Sequence, residues 1–461
     1  MSSALSLTGR RSATAPGPRG AFPLGCLPQF RRDPLGFLTR AAHEHGGIAR
    51  FRLGPVLAHL LNHPDHIAHV LQHNWRNYDK QTRSVAKIRS TCGNSLLSSD
   101  GEPWLRQRRL IQPAFQAARL THHVAAIGAA TSDMLVRWER AARERRAVNV
   151  VSEMAHLTLV IAARVLLGSD VRTDVETVER SLATILDDTW RRIESVIDPS
   201  VISTALHRPA YRAAVAALDA VVGRLIESRR RDGAHSDDLL SGLIRAHDDH
   251  DGVLSDRELR DATLTLLLAG HETTANALAW ALHLLSRHAD VSDRLHGESH
   301  AVHGPRPPEA DDLDRLPFAA SVFSETIRLY PSIWIMERRV VAEDDIAGHR
   351  IPAGSTVLIS PYVLHRTHEF WSDPERFDPN RFIGHGGPDH SHEAYIPFGQ
   401  GPHHCIGRHM AEMVARIVLS MIAARFRLRP GTDSDPVPLP GITLRHSHPL
   451  WMIPEIVAAR R

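Results

Sequence analysis

Cysteine is scarce in this 461-residue chain: there are three, Cys26, Cys92 and Cys405, far apart and odd in number. That argues against a disulfide framework and for a reducing compartment, so the expected location is the cytoplasm. Long apolar runs are missing too. The longest, Leu157 to Leu167 and Leu264 to Ala269, are interrupted by Arg164 or fall well short of the about 20 residues a bilayer requires, and no membrane anchor is expected. Arg10-Arg11 and Cys26 stand near the start, but no apolar stretch of secretory type accompanies them, so neither an export signal nor a lipid-anchored cysteine is read there. Charge of one sign is absent as well. Lys plus Arg number 55 against 52 Asp plus Glu, a formal net charge of +3, which leaves no nucleic-acid footprint. No Gly-x-Gly-x-x-Gly follows a predicted strand, so the chain has no nicotinamide or flavin fingerprint of its own.

What is present is an ordinary globular composition, 43% hydrophobic and 23% charged, enough for a sizeable core. Helical periodicity dominates over Val150 to Leu167, Ala213 to Ser228, Leu259 to Leu285, Phe318 to Leu329 and Ile406 to Phe426. Short strands and turns are expected only over Ile48 to Leu61 and His349 to Ile359, where Gly-Pro and Pro-Ala-Gly punctuate the pattern. The expected class is therefore mainly α with a smaller β-rich part. Residues 1–20, rich in Ser, Ala, Pro and Gly, are expected to form a flexible lead-in to a single catalytic domain over 21–461. Ser255 and Glu258 match a capping box at the head of the third helix, whose apolar stripe predicts a helix crossing the centre of the molecule.

The segment Pro397-Phe398-Gly399-Gln400-Gly401-Pro402-His403-His404-Cys405-Ile406-Gly407 is a glycine-rich turn leading into an amphipathic helix. At a helix start, unpaired amides favour an anion, so Cys405 is expected as thiolate, the form that binds metal. A lone cysteine is more commonly an inert buried residue. His403 and His404 invite a zinc reading, but tetrahedral zinc takes two ligand pairs at short spacing and no second cysteine pair exists. With Phe398, Gly401, His403, Cys405 and Gly407 in this spacing, the segment resembles the haem-binding loop of the cytochrome P450 monooxygenases. His403 stands where that family usually has Arg; an imidazole still bonds a carboxylate.

Other residues agree with the resemblance, although each has a plainer reading. Glu325 and Arg328 are spaced to pair on one helical face, a common surface arrangement, but they resemble the family's Glu-x-x-Arg helix. Pro374-Glu375-Arg376-Phe377 resembles the segment that supplies a second arginine, which implies a buried Glu325–Arg328–Arg376 triad. Gly270, unfavourable inside a helix by about 1 kcal/mol, serves either close packing or, with a Thr hydroxyl, a loosened hydrogen-bond ladder and a small polar groove. By resemblance Glu272 and Thr273 are the acid–alcohol pair that relays protons. Trp104 and Arg108, four residues apart on one helical face, and Arg338, with Arg339 as its adjacent alternative, would hold the haem propionates.

The resemblance runs from the proline-rich lead-in to Trp451 and implies the cytochrome P450 fold, with haem b (iron protoporphyrin IX) between the central helix and the helix after Cys405. It implies a monooxygenase that inserts one atom of O2 into a small lipophilic molecule of terpenoid, polyketide or fatty-acyl type, as in secondary metabolism. Electrons would come from separate partners, a ferredoxin and its reductase, docking near Arg408, Arg416 and Arg425. By family position the substrate pocket draws on residues around Val85 to Leu97, Ile185 to Leu206, Leu266 to Gly270 and Ser332 to Met336. A haem-thiolate isomerase or peroxide-driven enzyme would share Cys405 but not the Glu272–Thr273 pair. A haem gas sensor would bring an output domain.

Overall fold

The computed structural model describes residues 13–168, 174–195, 208–231, 238–248, 254–384, 392–431 and 435–457. It divides into two compact units: Met1–Thr82 with Ile335–Thr367 and His392–His404, and Arg83–Trp334 with His368–Ser391 and Cys405–Arg461.

The first unit carries most of the β-structure. Ile48–Leu53 folds back on Val56–Leu61 through Gly54-Pro55, pairing Ile48 with Leu61, and Val56–Leu61 then runs parallel to Thr356–Ile359. Met336–Val340 and Tyr78–Asp79 complete this five-stranded sheet. All of Thr356–Ile359 is buried, as expected of an apolar run covered on both faces. The expected His349 to Ile359 segment is two strands, His349–Ile351 pairing with Asp344–Ile346 in a hairpin of its own. Of the expected lead-in, residues 1–12 lie outside the described residues. From Ala13 the chain is bonded to this unit: Ala13 donates to Gly348 O at 2.8 Å, and the Arg50 amide donates to Pro16 O at 2.7 Å. A Cβ on Gly17 would collide with the Arg50 carbonyl, so a glycine there lets the lead-in lie flat on the strand.

The second unit is helical. Its longest element, Asp256–Arg287, starts at the capping box read from the sequence, with the Ser255 hydroxyl accepting from the Glu258 amide at 3.3 Å and Glu258 returning to the Ser255 amide at 2.9 Å. It packs along Val150–Leu167, whose sequence-derived limits are reproduced. The other expected helices appear as Pro209–Arg231, Pro317–Leu329 and Arg408–Arg425. Val124–Arg143, Val175–Glu194 and Ala289–Val302 were not expected. Among the described residues, Val150–Leu167 alone is long and apolar enough to cross a membrane, and 67% of it is buried inside the protein.

Candidate active site

The last helix begins at Arg408, three positions beyond Cys405, so its amides reach the sulfur only through the Gly407 N–H. Cys405 is accessible to solvent yet ringed by protein. Burial pushes the thiol pKa up, outweighing the Gly407 amide and the Arg108 and Arg408 guanidiniums. The thiolate expected from the helix start is therefore not favoured by the protein alone; a bound cation reverses that balance. Arg108 lies beside this sulfur, buried, with Nε 3.4 Å from Gln112 Oε1. Trp104, 4% exposed, shares its face on helix Gly101–Ile111.

In the first unit, the residues before the cysteine are held by two left-handed glycines, Gly399 and Gly401, each at φ 69°. A side chain on Gly401 would collide with the Leu71 carbonyl. Gln72 Nε2 donates to Gln400 Oε1 at 3.1 Å, and His403 meets the Trp75 ring edge-on with centroids 5.7 Å apart. His404 is turned outward, its Nδ1 2.8 Å from Gly401 O. Phe398 is half-buried in the same loop. Among the described residues no group of three or more His, Cys, Asp or Glu is placed to hold a metal ion. On strand Met336–Val340, Arg339 is engaged by Asp79, Nε to Oδ1 3.0 Å. Successive strand residues face opposite ways, so Arg338, opposite Val357, presents to the other face of the sheet.

On the central helix, Ala269, Gly270, Glu272 and Thr273 are accessible within an otherwise buried stretch. The Thr273 hydroxyl donates to Ala269 O at 2.8 Å, and the helix continues through this stretch without a break. Gly270 allows close packing: a Cβ there would lie 3.3 Å from Leu166 Cδ1 and 3.6 Å from Ala162 Cβ. Three tethers that the sequence did not reveal fix this stretch. Arg445 Nε binds Glu272 Oε1 at 2.7 Å while its Nη1 binds Asp187 Oδ1 at 2.6 Å. Ser332 Oγ donates to Thr273 O at 2.7 Å, and Asn276 Nδ2 to Thr443 Oγ1 at 3.2 Å.

The triad is present with one member corrected. Arg328 and Glu325 are fully buried, Nε to Oε2 2.6 Å and Nη2 to Oε1 2.8 Å. The second guanidinium on Glu325 belongs to Arg381, Nε to Oε1 3.5 Å, not to Arg376, which offers only its carbonyl to Arg328 at 3.1 Å. Two Pro-x-Arg-Phe segments follow each other, 374–377 and 379–382, and the second carries the buried arginine. Burial pushes the Glu325 carboxyl up despite both cations and the Asp378 amide.

Comparison with known proteins bears on the fold and the family. A crystal structure of a cytochrome P450 heme domain matches with a TM-score of 0.87 at 25% identity, over 97% of this chain and 99% of that one. The fold is thus that of a haem-binding oxidoreductase. The Cytochrome P450 family model matches residues 15–451, and the chain belongs to the cytochrome P450 family. It is similar to a protein named cyclooctatin synthase from Streptomyces melanosporofaciens, 36% identical over 96% of each chain. It is also similar to pentalenene oxygenase from Streptomyces avermitilis, 32% identical over 94% of this chain and 95% of the other. The chain is a P450 monooxygenase whose cofactor is haem.

Proposed function

We propose that this enzyme oxygenates a terpenoid, with Cys405 as the iron's protein ligand. The substrate reading rests on the near full-length similarity to the proteins named for cyclooctatin and pentalenene. The site reading rests on one observation: an accessible sulfur enclosed by protein beside a buried guanidinium, at the end of a loop whose Gly401 leaves no room for a side chain. These residues suit haem, a flat anionic group with a metal at its centre.

When bound, thiolate-ligated haem supplies the activation of O2. In this reading Arg108, Trp104, Arg338 and His403 would hold its propionates, and Phe398 and Gly270 would contribute to its binding site. Thr273 presents its hydroxyl from the accessible stretch of that helix, and Glu272 passes a proton toward it. Arg445 holds the Glu272 carboxylate and must give way, in part, each time Glu272 turns from solvent toward Thr273. Ser332 keeps the Thr273 backbone in place while the carboxylate moves.

Apolar residues from Val85 to Leu97 and Leu266 to Gly270 give the substrate its lipophilic surroundings. Of the expected segment Ser332 to Met336, Trp334 is fully buried, its indole N–H donating to Gly441 O at 2.9 Å. Of the expected segment Ile185 to Leu206, residues 196–206 lie outside the described residues. Electrons come from a ferredoxin and its reductase in the cytoplasm, and no membrane span is needed. Of the three expected docking arginines, Arg408 keeps 55% of its side chain exposed although paired with Glu412. Arg416 and Arg425 turn to Leu313 O and Glu139 within the protein.

The reading is tested by titrating purified holoprotein with polycyclic terpene hydrocarbons and alcohols, free fatty acids and macrolide-type polyketides. A terpene is expected to displace the iron's water and shift the main haem band to shorter wavelength. A shift with fatty acids or polyketides alone refutes the substrate class. A reduced carbon monoxide complex without the red-displaced band of thiolate ligation refutes Cys405.

A further inference from the structure

The stretch His69 to Tyr78 has no part in the chemistry above, yet it is built with unusual care. It opens as a five-residue π turn, His69–His73, closed by the Asn74 amide on His69 O at 2.8 Å. Such turns are rare and concentrate at functional sites. Three donors from this stretch then converge on one oxygen, Asp344 Oδ2: the Tyr78 hydroxyl at 2.6 Å, His69 Nε2 at 2.8 Å and Asn74 Nδ2 at 2.9 Å. Asp344 Oδ1 takes the Asp345 amide at 2.8 Å. Only 15% of the Asp344 side chain is exposed. Burial pushes its pKa up, but the hydrogen bonds from Tyr78, His69, Asn74 and Asp345 together carry it below the usual value.

The same stretch bears on the loop before the cysteine. Leu71 O fills the space that a side chain on Gly401 would need, Gln72 bonds Gln400, and Trp75 meets the edge of His403. A second tie, between Asn77 and the backbone of Ala342 at 2.9 and 2.8 Å, fixes its far end. Asp344 therefore holds the stretch from its first residue, His69, to its last, Tyr78, and Leu71 and Trp75 lie between those anchor points.

We infer that Asp344 is a positioning residue for haem: through the π turn and Trp75 it sets the orientation of the His403 imidazole toward a propionate. This rests on the proposed contact of His403 with haem. The physical reason is the histidine itself. A guanidinium has five N–H groups on a long stem and tolerates small misplacement, whereas an imidazole offers one directional N–H on a short one. A family member with His at this position depends more on what holds that ring still.

The test is a double-mutant cycle read as the rate of haem transfer from holoprotein to excess apomyoglobin. His403→Ala and Asp344→Asn are each expected to speed transfer roughly tenfold, the scale typical of groups that orient a ligand. In the His403→Ala background, Asp344→Asn is expected to add less than about twofold. Trp75→Leu, lying between the two, gives the same cycle should Asp344→Asn not accumulate as holoprotein. If His403→Ala leaves transfer unchanged, the proposed His403 contact is wrong and the inference falls with it. If His403→Ala speeds transfer but Asp344→Asn does not, or the two multiply fully, the His403 contact stands and the inference is overturned.

Discussion

At the residue scale, the buried ion cluster separates what spacing reveals from what it hides. Glu325 and Arg328 were legible because a helix puts residues three apart on one face, and the pair is found fully buried. The third member was misassigned because two Pro-x-Arg-Phe segments stand five residues apart and sequence alone does not say which arginine turns inward. The fold decides: Arg381 is 8% exposed and also reaches Asp373 O at 3.1 Å, while the Arg376 side chain is exposed. This gives a pair of opposite outcomes. Arg381→Ala leaves Glu325 with one cation fewer in a dry site and is expected to lower stability by about 3–5 kcal/mol, with loss of haem on purification. Arg376→Ala keeps the carbonyl that Arg328 uses and is expected to stay within about 0.5 kcal/mol of the parent. Urea unfolding and haem content of the two variants check this; equal damage from both would restore Arg376 to the cluster. The sequence spacing likewise put Trp104 and Arg108 on one helical face, and the structure has both buried on helix Gly101–Ile111. Arg445, Asp187 and Asp344 were not legible, because each acts across a long stretch of chain and no spacing marks it.

At the element scale, a capping signal at the start of a helix was the clearest feature to read, and Val124–Arg143, Val175–Glu194 and Ala289–Val302, none of which has a side-chain cap, were missed. Asp256–Arg287 carries its own capping box, and Val150–Leu167 is bounded by Asn149, whose side chain accepts from the Val151 amide, and by Gly168 at φ 56°. Val175–Glu194 has no side-chain cap, although its buried residues Val175, Val178, Leu182, Ile185 and Leu186 stand at a helical spacing that was there to be read between the charges. Gly270 was given two readings, and the packing of the two long helices favours the plainer one. The consequence is measurable. Gly270→Ala needs a shift of only a few tenths of an ångström at the flexible end of Leu166 and gains helix propensity, so stability should change by no more than about 1 kcal/mol either way. Thr273→Ala, by contrast, removes the hydroxyl without touching helix packing, and is expected to keep reductant consumption while releasing peroxide in place of product. Peroxide yield per reductant oxidised checks it; unchanged coupling in Thr273→Ala would take that hydroxyl out of proton delivery.

At the scale of the whole molecule, the 31 histidines set the response to acid, and the core decides its sign. Burial lowers His59, His271 and His283 from 6.5 to about 4, and His446 to about 3. Each is neutral when folded and takes up a proton on unfolding, so its share of stability is complete above about 6.5 and is lost progressively as pH falls toward 4. The slope is up to about 1.4 kcal/mol per pH unit for each such group. Glu179 opposes them. Its pKa is raised to about 7 by burial, so between there and its ordinary 4.5 the folded state binds the extra proton and gains stability on acidification. Burial also lowers His66, His123, His156 and His303 and raises Glu298 and Glu325, so among the described residues depressed imidazoles outnumber raised carboxyls and the protein is expected to lose stability over this window. His446 isolates the effect, because its ring stacks on Trp280 with centroids 4.0 Å apart and neither nitrogen has a hydrogen-bond partner among the described residues. His446→Phe keeps a flat ring of similar size in that stack and removes the titration. The variant is expected to match the parent near pH 7.5 and to lose stability less steeply below pH 6.5, by up to about 1.4 kcal/mol per unit. Urea midpoints at pH 7.5, 6.0 and 5.0 decide it: parallel pH curves for the two proteins would mean that His446 is already protonated in the folded chain.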